Sequence, residues 1–446
     1  MYRLFLIVFI FWLLYIPESI CATDKPSIII LTDIGGDTDD EQSMVRFLLY
    51  ADMFDIKGFC ITSRLGHGQD TRPEIMYSMI DSYRKVYPNL KLHSPDYPEP
   101  DLLRSLVKNG QGNQFDIGEG FDTEASDHII EVVDHAENII HIAVWGGLRE
   151  LAQSLWKVKQ TRSPAEVASF CRKMQIHAIG DQDKHRDWIT DQFKDLIFIA
   201  NGFVYNNVIF GVREMASFRG MYLTGDLTMQ NGDWVRKNIH GNGPLSDAYQ
   251  LHGHGTDGMK EGDTPSFLGL IANGLNVPDR PEWGGWGGRF RLLNNNLYID
   301  AQDFLDGKLN ERHGVARWRP AFQRDFMARV KWCTKPFENA NHNPVIVVNG
   351  QSGYEPLFLE AKPDSKLLFD AAESHDPDGD QLTYNWFVYY EIYPVIPKLK
   401  ISSGGKKCSF IMPKVKSGEA IHLILEVSDN GIPSLTTYKR IVVNSL

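Results

Sequence analysis

The fold is decided by residues 27–41, which read Ser27-Ile28-Ile29-Ile30-Leu31-Thr32-Asp33-Ile34-Gly35-Gly36-Asp37-Thr38-Asp39-Asp40-Glu41. The apolar run 28–31 has the length and composition of a buried strand of a parallel sheet. A glycine turn follows it, and residues 43–50 are apolar at helical spacing. In open α/β sheets ligands bind beyond the carboxyl ends of the strands. The turn is therefore predicted to lie at a binding edge.

This turn carries four carboxylates, those of Asp33, Asp37, Asp39 and Asp40. Carboxylates held close together repel one another unless some are protonated or a cation lies among them. Oxygen ligands without a neighbouring Cys or His favour Ca²⁺ or Mg²⁺ over zinc. The pattern predicts a cation site; the alternative is a solvated Asp-rich turn in which one residue caps the next helix.

Length and charge narrow the class of protein. The chain has 446 residues, which favours two domains, and a formal net charge of −11. An acidic protein is poorly suited to nucleic acid or to an anionic membrane. No Cys-x-x-Cys pair occurs, and the four cysteines after residue 24 are far apart, so we expect buried thiols rather than a zinc site or a disulfide framework.

The N-terminus is typical of an export signal. Arg3 precedes the apolar run 4–16, and small residues end the segment at Ala22. This run is short for a membrane span and suits a signal peptide over residues 1–22. We therefore expect a secreted or periplasmic protein with no membrane contact after cleavage. Lipidation at Cys21 and an N-terminal membrane anchor are the alternatives.

Residues 24–335 alternate apolar runs with helical patterns, which is typical of βαβ units around an open parallel sheet with helices on both faces. Residues 243–289 are rich in Gly, Trp and His, and are predicted to form loops over the sheet edge. The predicted strands are 28–31, 56–62, 139–144, 175–179 and 196–200, and the clearest helical patterns are 127–135 and 148–157.

The sequence pattern changes from alternating strands and helices to short strands after residues 341–344, which resemble a linker. Short alternating runs separated by turns then predict an all-β, antiparallel sandwich over 341–446. One of these turns holds Asp376, Asp378 and Asp380, for which an Asp/Gly turn is preferred to a structural Ca²⁺ site. The predicted strands are 345–348, 367–369, 382–389, 409–412, 422–428 and 436–443.

The turn motif resembles that of the nucleoside hydrolase superfamily, Asp-x-Asp-Pro-Gly-x-Asp-Asp. The match is Asp33-Ile34-Gly35 and Asp39-Asp40, with three residues, 36–38, where the family usually has one. Residues 144–148 and 260–265 fall where the family places its second and third metal-ligand segments. The whole chain is similar to secreted proteins, labelled cellulose-binding, that join such a domain to an immunoglobulin-like domain; residues 258–267 and 282–289 carry that likeness.

The resemblance implies a Ca²⁺-dependent site. Asp33 would be a ligand and the base for a bound water, and Asp39 would hold sugar hydroxyls. The remaining ligands it implies are Asp40, the backbone carbonyl of Trp145, and Asp263. A cation that activates water beside carboxylates that stabilise an oxocarbenium-like charge is coherent chemistry for breaking a glycosidic bond.

The chain departs from the family where a histidine usually protonates the leaving group, because this position is Gly262. Glu261 or His254 is predicted to replace it as the acid. The longer first loop also leaves open whether Asp37 takes the sugar-binding role of Asp39.

Other predicted substrate contacts follow the strand ends. They are Arg64 or His67 after the second strand, and Asp181 and Asp183 after the fourth; each has a structural role as its alternative. Trp286 in its glycine loop is predicted to stack on a sugar ring, with anchoring of the loop to the core as the alternative.

We therefore expect a metal-dependent hydrolase that cleaves an N- or O-glycosidic bond of a ribose-like or other small sugar. The alternative is a non-catalytic carbohydrate-binding protein, with a cellulose-like polysaccharide as partner, on the same fold. Retention of Asp33, Asp40 and Asp263 favours the hydrolase, whereas the missing histidine favours the binding protein.

Overall fold

A computed structural model describes residues 25–64, 66, 68–112, 115–202, 204–205, 208–209, 213–253, 257–416 and 418–446. The predicted signal peptide, together with His67 and His254, lies outside the described residues. Within the described ranges, no helix has both the length and the apolar character needed to cross a membrane.

Twelve strands occur among the described residues of the N-terminal part of the chain. They are β1 Ser27–Thr32, β2 Asp55–Ile61, β3 Val107–Asn109, β4 Ile140–Val144, β5 Met174–Ala178, β6 Ile197–Ala200, β7 Val204–Tyr205, β8 Val208–Ile209, β9 Phe290–Asn294, β10 Leu297–Asp300, β11 Asp303–Leu305 and β12 Lys308–Asn310.

The α-helices of the described residues all lie before residue 333. They are α1 Thr38–Leu49, α2 Pro73–His93, α3 Pro100–Ser105, α4 Glu124–Asp134, α5 Arg149–Thr161, α6 Pro164–Cys171, α7 Arg186–Gln192, α8 Gly232–Asn238, α9 Pro244–Asp247, α10 Pro265–Leu268, α11 His313–Ala316 and α12 Arg319–Trp332.

Eight strands form one sheet in the order β3-β2-β1-β4-β5-β6-β10-β9. All neighbours are parallel except β9, which pairs antiparallel with β10 at the edge. The strand order reverses direction between β1 and β4, so the crevice beyond the carboxyl ends of these two strands is the expected ligand site of such a sheet. The five strands predicted in this region are all present, and the predicted open α/β sheet is confirmed.

Helices cover both faces of the sheet because strand residues alternate between two apolar cores. Ile29 and Leu31 of β1 pack with α4 and α5 on one face. Ile28 and Ile30 face the other core, to which α1, α2 and α12 contribute. These two contacts hold the first loop rigidly between β1 and α1.

The C-terminal part contains two sheets, of order β13-β19-β18-β15 and β14-β17-β16, which share one apolar core. Five of the six predicted strands are present, whereas residues 345–348 make only isolated bridges. The first sheet is mixed because β13 pairs parallel with β19, which corrects the prediction of an antiparallel sandwich. The immunoglobulin-like class stays a prediction. The strands are β13 Leu357–Ala361, β14 Lys366–Asp370, β15 Thr383–Val388, β16 Ser402–Gly404, β17 Lys407–Ile411, β18 Ala420–Ser428 and β19 Thr436–Ser445.

Residues 341–344, the predicted linker, are largely buried. Asn341 and His342 are buried, and Asn341 Nδ2 donates to Asp429 Oδ2 at 3.0 Å and to the carbonyl of Pro433 at 2.8 Å. Tyr438, which belongs to the C-terminal part of the chain, also packs in the core of the α/β part. The junction is therefore packed and hydrogen-bonded. The boundaries 24–335 and 341–446 stay predictions.

Candidate cation site at the switch point

The first loop places its carboxylates through the end of β1 and the start of α1. Asp33 directly follows the strand, and Asp37 is the N-cap of α1, where its Oδ1 accepts from the backbone N–H of Thr38 at 2.8 Å. An aspartate is a preferred N-cap because it satisfies the unpaired N–H groups of the first turn. Asp39 and Asp40 then lie in that first turn, where a helix dipole favours negative charge.

Three carboxylates converge at this point. Asp39, Asp40 and Asp263 each offer an oxygen within 4.8 Å of the others. Asp33 lies beside them and is 4% exposed, while Asp40 and Asp263 are 3% and 2% exposed. Thr32, the last residue of β1, donates its hydroxyl to Asp40 Oδ1. The tertiary fold thus brings the third segment, 220 residues away in the chain, against the first loop.

Burial and mutual repulsion disfavour the charged forms of these carboxyl groups and raise their pKa values. Burial and the charge of Asp39 raise the pKa of Asp33 to about 7, and burial raises the pKa of Asp39 to about 6. Burial and neighbouring carboxylates raise the pKa values of Asp40 and Asp263 well above the usual range. A carboxylate that is buried near others favours its protonated form unless a cation compensates the charge.

Lys260 is the cation that reaches this cluster among the described residues. Its ammonium group pairs with Asp37 and lies 3.6 Å from Asp39 Oδ1. Its backbone N–H donates to Gln42 Oε1 at 2.6 Å, which fixes the third segment against α1. Lys260 therefore pairs with Asp37 at the rim, while Asp39 lies in the cluster. Which of the two holds a sugar hydroxyl stays a prediction.

The second segment approaches Asp33 through glycines. The backbone N–H of Trp145 donates to Leu31 O at 2.8 Å, which continues the sheet between the two loops. A Cβ at Gly146 would collide with Asp33 Oδ1, and one at Gly147 would lie 2.5 Å from Asp183 Oδ2. Only glycine allows this close approach of backbone to carboxylate. Trp145 O accepts from Gln182 Nε2 at 3.2 Å.

The donor set fits Ca²⁺. Asp33 Oδ1 and Asp263 Oδ2 are buried and have no hydrogen-bond partner among the described residues. Buried polar atoms are normally paired, and unpaired carboxylate oxygens that converge are what an oxygen-liganded cation requires. Asp33, Asp40, Asp263 and the Trp145 carbonyl are the ligands that the resemblance implies, and Asp39 joins them by proximity. These assignments stay predictions.

The predicted acid Glu261 does not face the site as a free carboxyl group. It is fully buried and forms an ion pair with Arg46, at 2.6 Å from Arg46 Nε to Glu261 Oε2. Tyr249 donates to its Oε1 at 2.7 Å, and Thr264 donates to its Oε2 at 3.0 Å. Both oxygens are therefore engaged in structural bonds, which corrects the prediction of a catalytic acid.

Three predicted substrate contacts hold the loops instead. Arg64 donates to Gly35 O at 2.7 Å and to Asp70, so it braces the first loop. Asp183 Oδ2 accepts from the backbone N–H of Arg149 at 2.7 Å, at the start of α5. Asp181 Oδ1 accepts from the backbone N–H of Arg186 at 3.2 Å, at the start of α7. The structural alternatives describe the observed contacts.

Trp286 corrects another prediction. It is 1% exposed and packs edge-on against Phe322 and Tyr438, at centroid distances of 6.2 and 6.4 Å. A ring buried in this way cannot stack on a sugar. It pins the glycine loop to the core, which was the alternative interpretation.

Sequence reasoning gave no role to Thr32, Lys260 or Ser266. Ser266 accepts from Trp145 Nε1 at 2.9 Å and donates to Asp263 O at 2.6 Å, so it ties the second segment to the third. Their positions in the sequence could have indicated these roles, because Thr32 precedes Asp33, and Lys260 and Ser266 each lie three residues from Asp263.

Two family models match the chain. Residues 27–290 match "Cellulose-binding Sde182, nucleoside hydrolase-like domain", and residues 366–445 match "Cellulose-binding protein Sde0182, C-terminal domain". The chain belongs to this nucleoside hydrolase-like Sde182 family. The first match spans the whole candidate site, from Asp33 to Asp263. No curated protein matches the chain.

A solved structure covers both parts of the family architecture. It is a nucleoside hydrolase-related protein from Saccharophagus degradans, associated with carbohydrate metabolism, with 30% identity and a TM-score of 0.81 over 95% of this chain and 100% of that one. A second solved structure is that of the type III effector XopQ in complex with adenosine diphosphate ribose. It has 8% identity and a TM-score of 0.36, and the match covers 70% of this chain and 95% of that one.

Proposed function

We propose that this protein is a secreted, Ca²⁺-dependent hydrolase that cleaves a glycosidic bond of a small sugar substrate. The observation that carries the proposal is the convergence of Asp39, Asp40 and Asp263 beside Asp33, with buried oxygens that have no partner among the described residues. A binding protein has no evident need for such a costly cluster, whereas a hydrolase can use it to activate water.

When bound, Ca²⁺ would lower the pKa of a coordinated water molecule and orient it. Asp33 Oδ1, which has no partner among the described residues, would serve as the base that accepts a proton from the attacking water. Asp39 is more exposed than Asp40, with 18% of its side chain accessible, and can therefore reach a sugar hydroxyl at the rim. The surrounding negative charge would stabilise the positive charge that develops on the sugar as the bond breaks.

Positions 261 and 262 of the third segment offer no proton donor for the leaving group. Because Glu261 is held by Arg46 and Gly262 has no side chain, neither supplies a proton. We therefore expect a leaving group that departs with little protonation, or one protonated by His254, which lies outside the described residues.

A hydrolysis screen tests the proposal. Purified protein is incubated with nucleosides, aryl glycosides and oligosaccharides, with Ca²⁺ or with chelator, and release of reducing sugar is measured. We expect activity that requires Ca²⁺ and is lost in Asp33→Asn, which keeps the shape but not the charge. Asp37→Asn, at the rim, is the matched control and should retain most of the activity. Absence of turnover on every substrate would reject the hydrolase.

The second candidate is a polysaccharide-binding protein without catalysis. The family description "cellulose-binding" and the structural engagement of Glu261 favour it. Sedimentation with microcrystalline cellulose separates the two functions: co-sedimentation that Asp33→Asn does not change, together with no hydrolysis, would establish the binding function. Turnover that requires Ca²⁺ would instead establish the hydrolase.

A further inference from the structure

Three polar side chains share one face of the two central strands β4 and β5. His141 pairs in register with Gln175, and Ala143 pairs with His177, so His141, Gln175 and His177 project to the same side of the sheet. They are 7%, 5% and 9% exposed. Central strands of a parallel sheet are normally apolar on both faces. Polar residues at this depth therefore require an explanation.

These side chains line a cavity, which we call the His141 cavity. Its walls also include Ile199, Phe290, Arg280, the glycines of the loop 284–288, and Pro265 and Ser266 from the third segment. The centres of water-sized molecules can occupy about 50 Å³ of it. One bound water needs about 10–15 Å³ by this measure. The cavity therefore has room for several waters or for one compact solute.

The His141 cavity adjoins the carboxylate site through Pro265 and Ser266 but lies deeper in the sheet. His141 is the second residue of β4, whereas Trp145, which supplies the implied carbonyl ligand of the second segment, lies four residues further on, beyond the carboxyl end of that strand. Four residues of strand span about 13 Å. The two sites therefore lie at different depths along the same strand.

The hydrogen bonds of the cavity wall are incomplete. Gln175 Nε2 donates to Pro278 O at 3.0 Å, and His177 Nε2 lies 2.8 Å from Asn201 Oδ1. His141 makes no hydrogen bond or ion pair with any residue that the structure describes, although it is more than nine-tenths buried. Its ring nitrogens are not among the inaccessible atoms that lack a partner, so they face the open volume of the cavity, where a ligand or water can pair with them.

The chemistry of the wall points to an uncharged ligand. Burial lowers the pKa values of His141 and His177 to about 4, so both rings are neutral at pH 7 and can each donate and accept a hydrogen bond. The guanidinium of Arg280 is 56% exposed and pairs with Glu282 at 3.5 Å. Phe290 adds an apolar ring face suited to C–H groups.

We propose that the His141 cavity is a second binding site, for a compact neutral polyol such as glycerol or a single sugar ring. Hydroxyl groups would pair with the free imidazole of His141 and with the free oxygen of Gln175. The carbon frame would pack on Phe290 and Ile199. The proposal does not depend on hydrolytic activity.

Calorimetry with glycerol, D-ribose and D-glucose tests it. The variants are His141→Phe, which removes both ring nitrogens at similar volume, and Asp40→Asn, which alters only the carboxylate site. We expect one of the three probes to bind the wild type, His141→Phe to weaken it about tenfold or more, and Asp40→Asn to leave it unchanged. Far-ultraviolet circular dichroism checks that both variants are folded.

Two results would overturn the proposal. One is no binding of any probe up to about 100 mM, which would assign the cavity to water alone. The other is binding that Asp40→Asn abolishes and His141→Phe preserves, which would place the sugar at the carboxylate site. If His141→Phe does not fold, Gln175→Leu serves in its place, and the ring signals of ¹³C-labelled histidine in the wild type must shift when the polyol is added.

Discussion

The ion pair of Glu261 and Arg46 gives the sharpest prediction, because it separates a structural role from a catalytic one. Arg46 is fully buried, and its guanidinium also donates to Gln323 Oε1 at 2.6 Å and lies 3.8 Å from the ring of Phe326. Glu261→Gln removes the only carboxylate that is paired with Arg46 among the described residues. Breaking a buried ion pair from one side typically costs about 3–5 kcal/mol.

This loss of stability corresponds to a decrease in the melting temperature Tm. A unit of roughly 300 residues unfolds with an entropy of roughly 0.6 kcal/mol/K, so Glu261→Gln should lower Tm by about 5–8 °C. Differential scanning calorimetry measures the shift, and Glu338→Gln, at an exposed glutamate, is the control that should leave Tm unchanged. Calorimetric Ca²⁺ titration below Tm should give nearly wild-type affinity. A variant with unchanged Tm that loses hydrolysis, together with the basic limb of its pH profile, would refute the structural role and restore Glu261 as the acid.

Four further results are expected. Asp40→Asn should weaken Ca²⁺ binding strongly in calorimetry, since an anionic oxygen ligand is lost; equal affinity would exclude Asp40 as a ligand. Lys260→Met should tighten Ca²⁺ binding about tenfold or more, because a positive charge 3.6 Å from Asp39 is removed; weaker binding would contradict this. Burial lowers the pKa of His422 to about 2. Below about pH 6.5 the unfolded chain therefore binds a proton that the folded protein does not, and stability falls as the pH drops. His422→Asn should show a smaller loss of Tm between pH 7 and 4 than the wild type; an equal loss would exclude His422 as a source of the pH dependence. Truncation after residue 340 should give an insoluble or less stable α/β part because it uncovers the core around Tyr438; a truncated protein with wild-type Tm would show that the parts are independent.

Local pattern was sufficient for the elements around the site. The apolar run 28–31 became β1 and the following periodic run became α1, since burial on both sides of a parallel sheet leaves an unmistakable signal. The position of the Asp-rich turn followed from the same signal, because a turn after a central strand must lie at its carboxyl end. The antiparallel β9 was missed: its residues Arg291 and Leu292 are exposed at the sheet edge and carry little apolar pattern.

The sequence by itself determined the open α/β sheet and the position of the Asp-rich first loop at its switch point, because both depend on short-range periodicity and on strand direction. Asp263 was placed beside this loop by the family resemblance, and its contact with Asp39 and Asp40 is a property of the tertiary structure. Only the tertiary structure decided what the neighbouring polar residues do. Glu261 and Trp286 lie in loop segments that give no periodic signal, and their roles depend on partners far away in the chain, Arg46 and Tyr438. Burial and pairing are properties of the packed core, so a residue that resembles a catalytic or stacking group in the sequence can be a structural one in the fold.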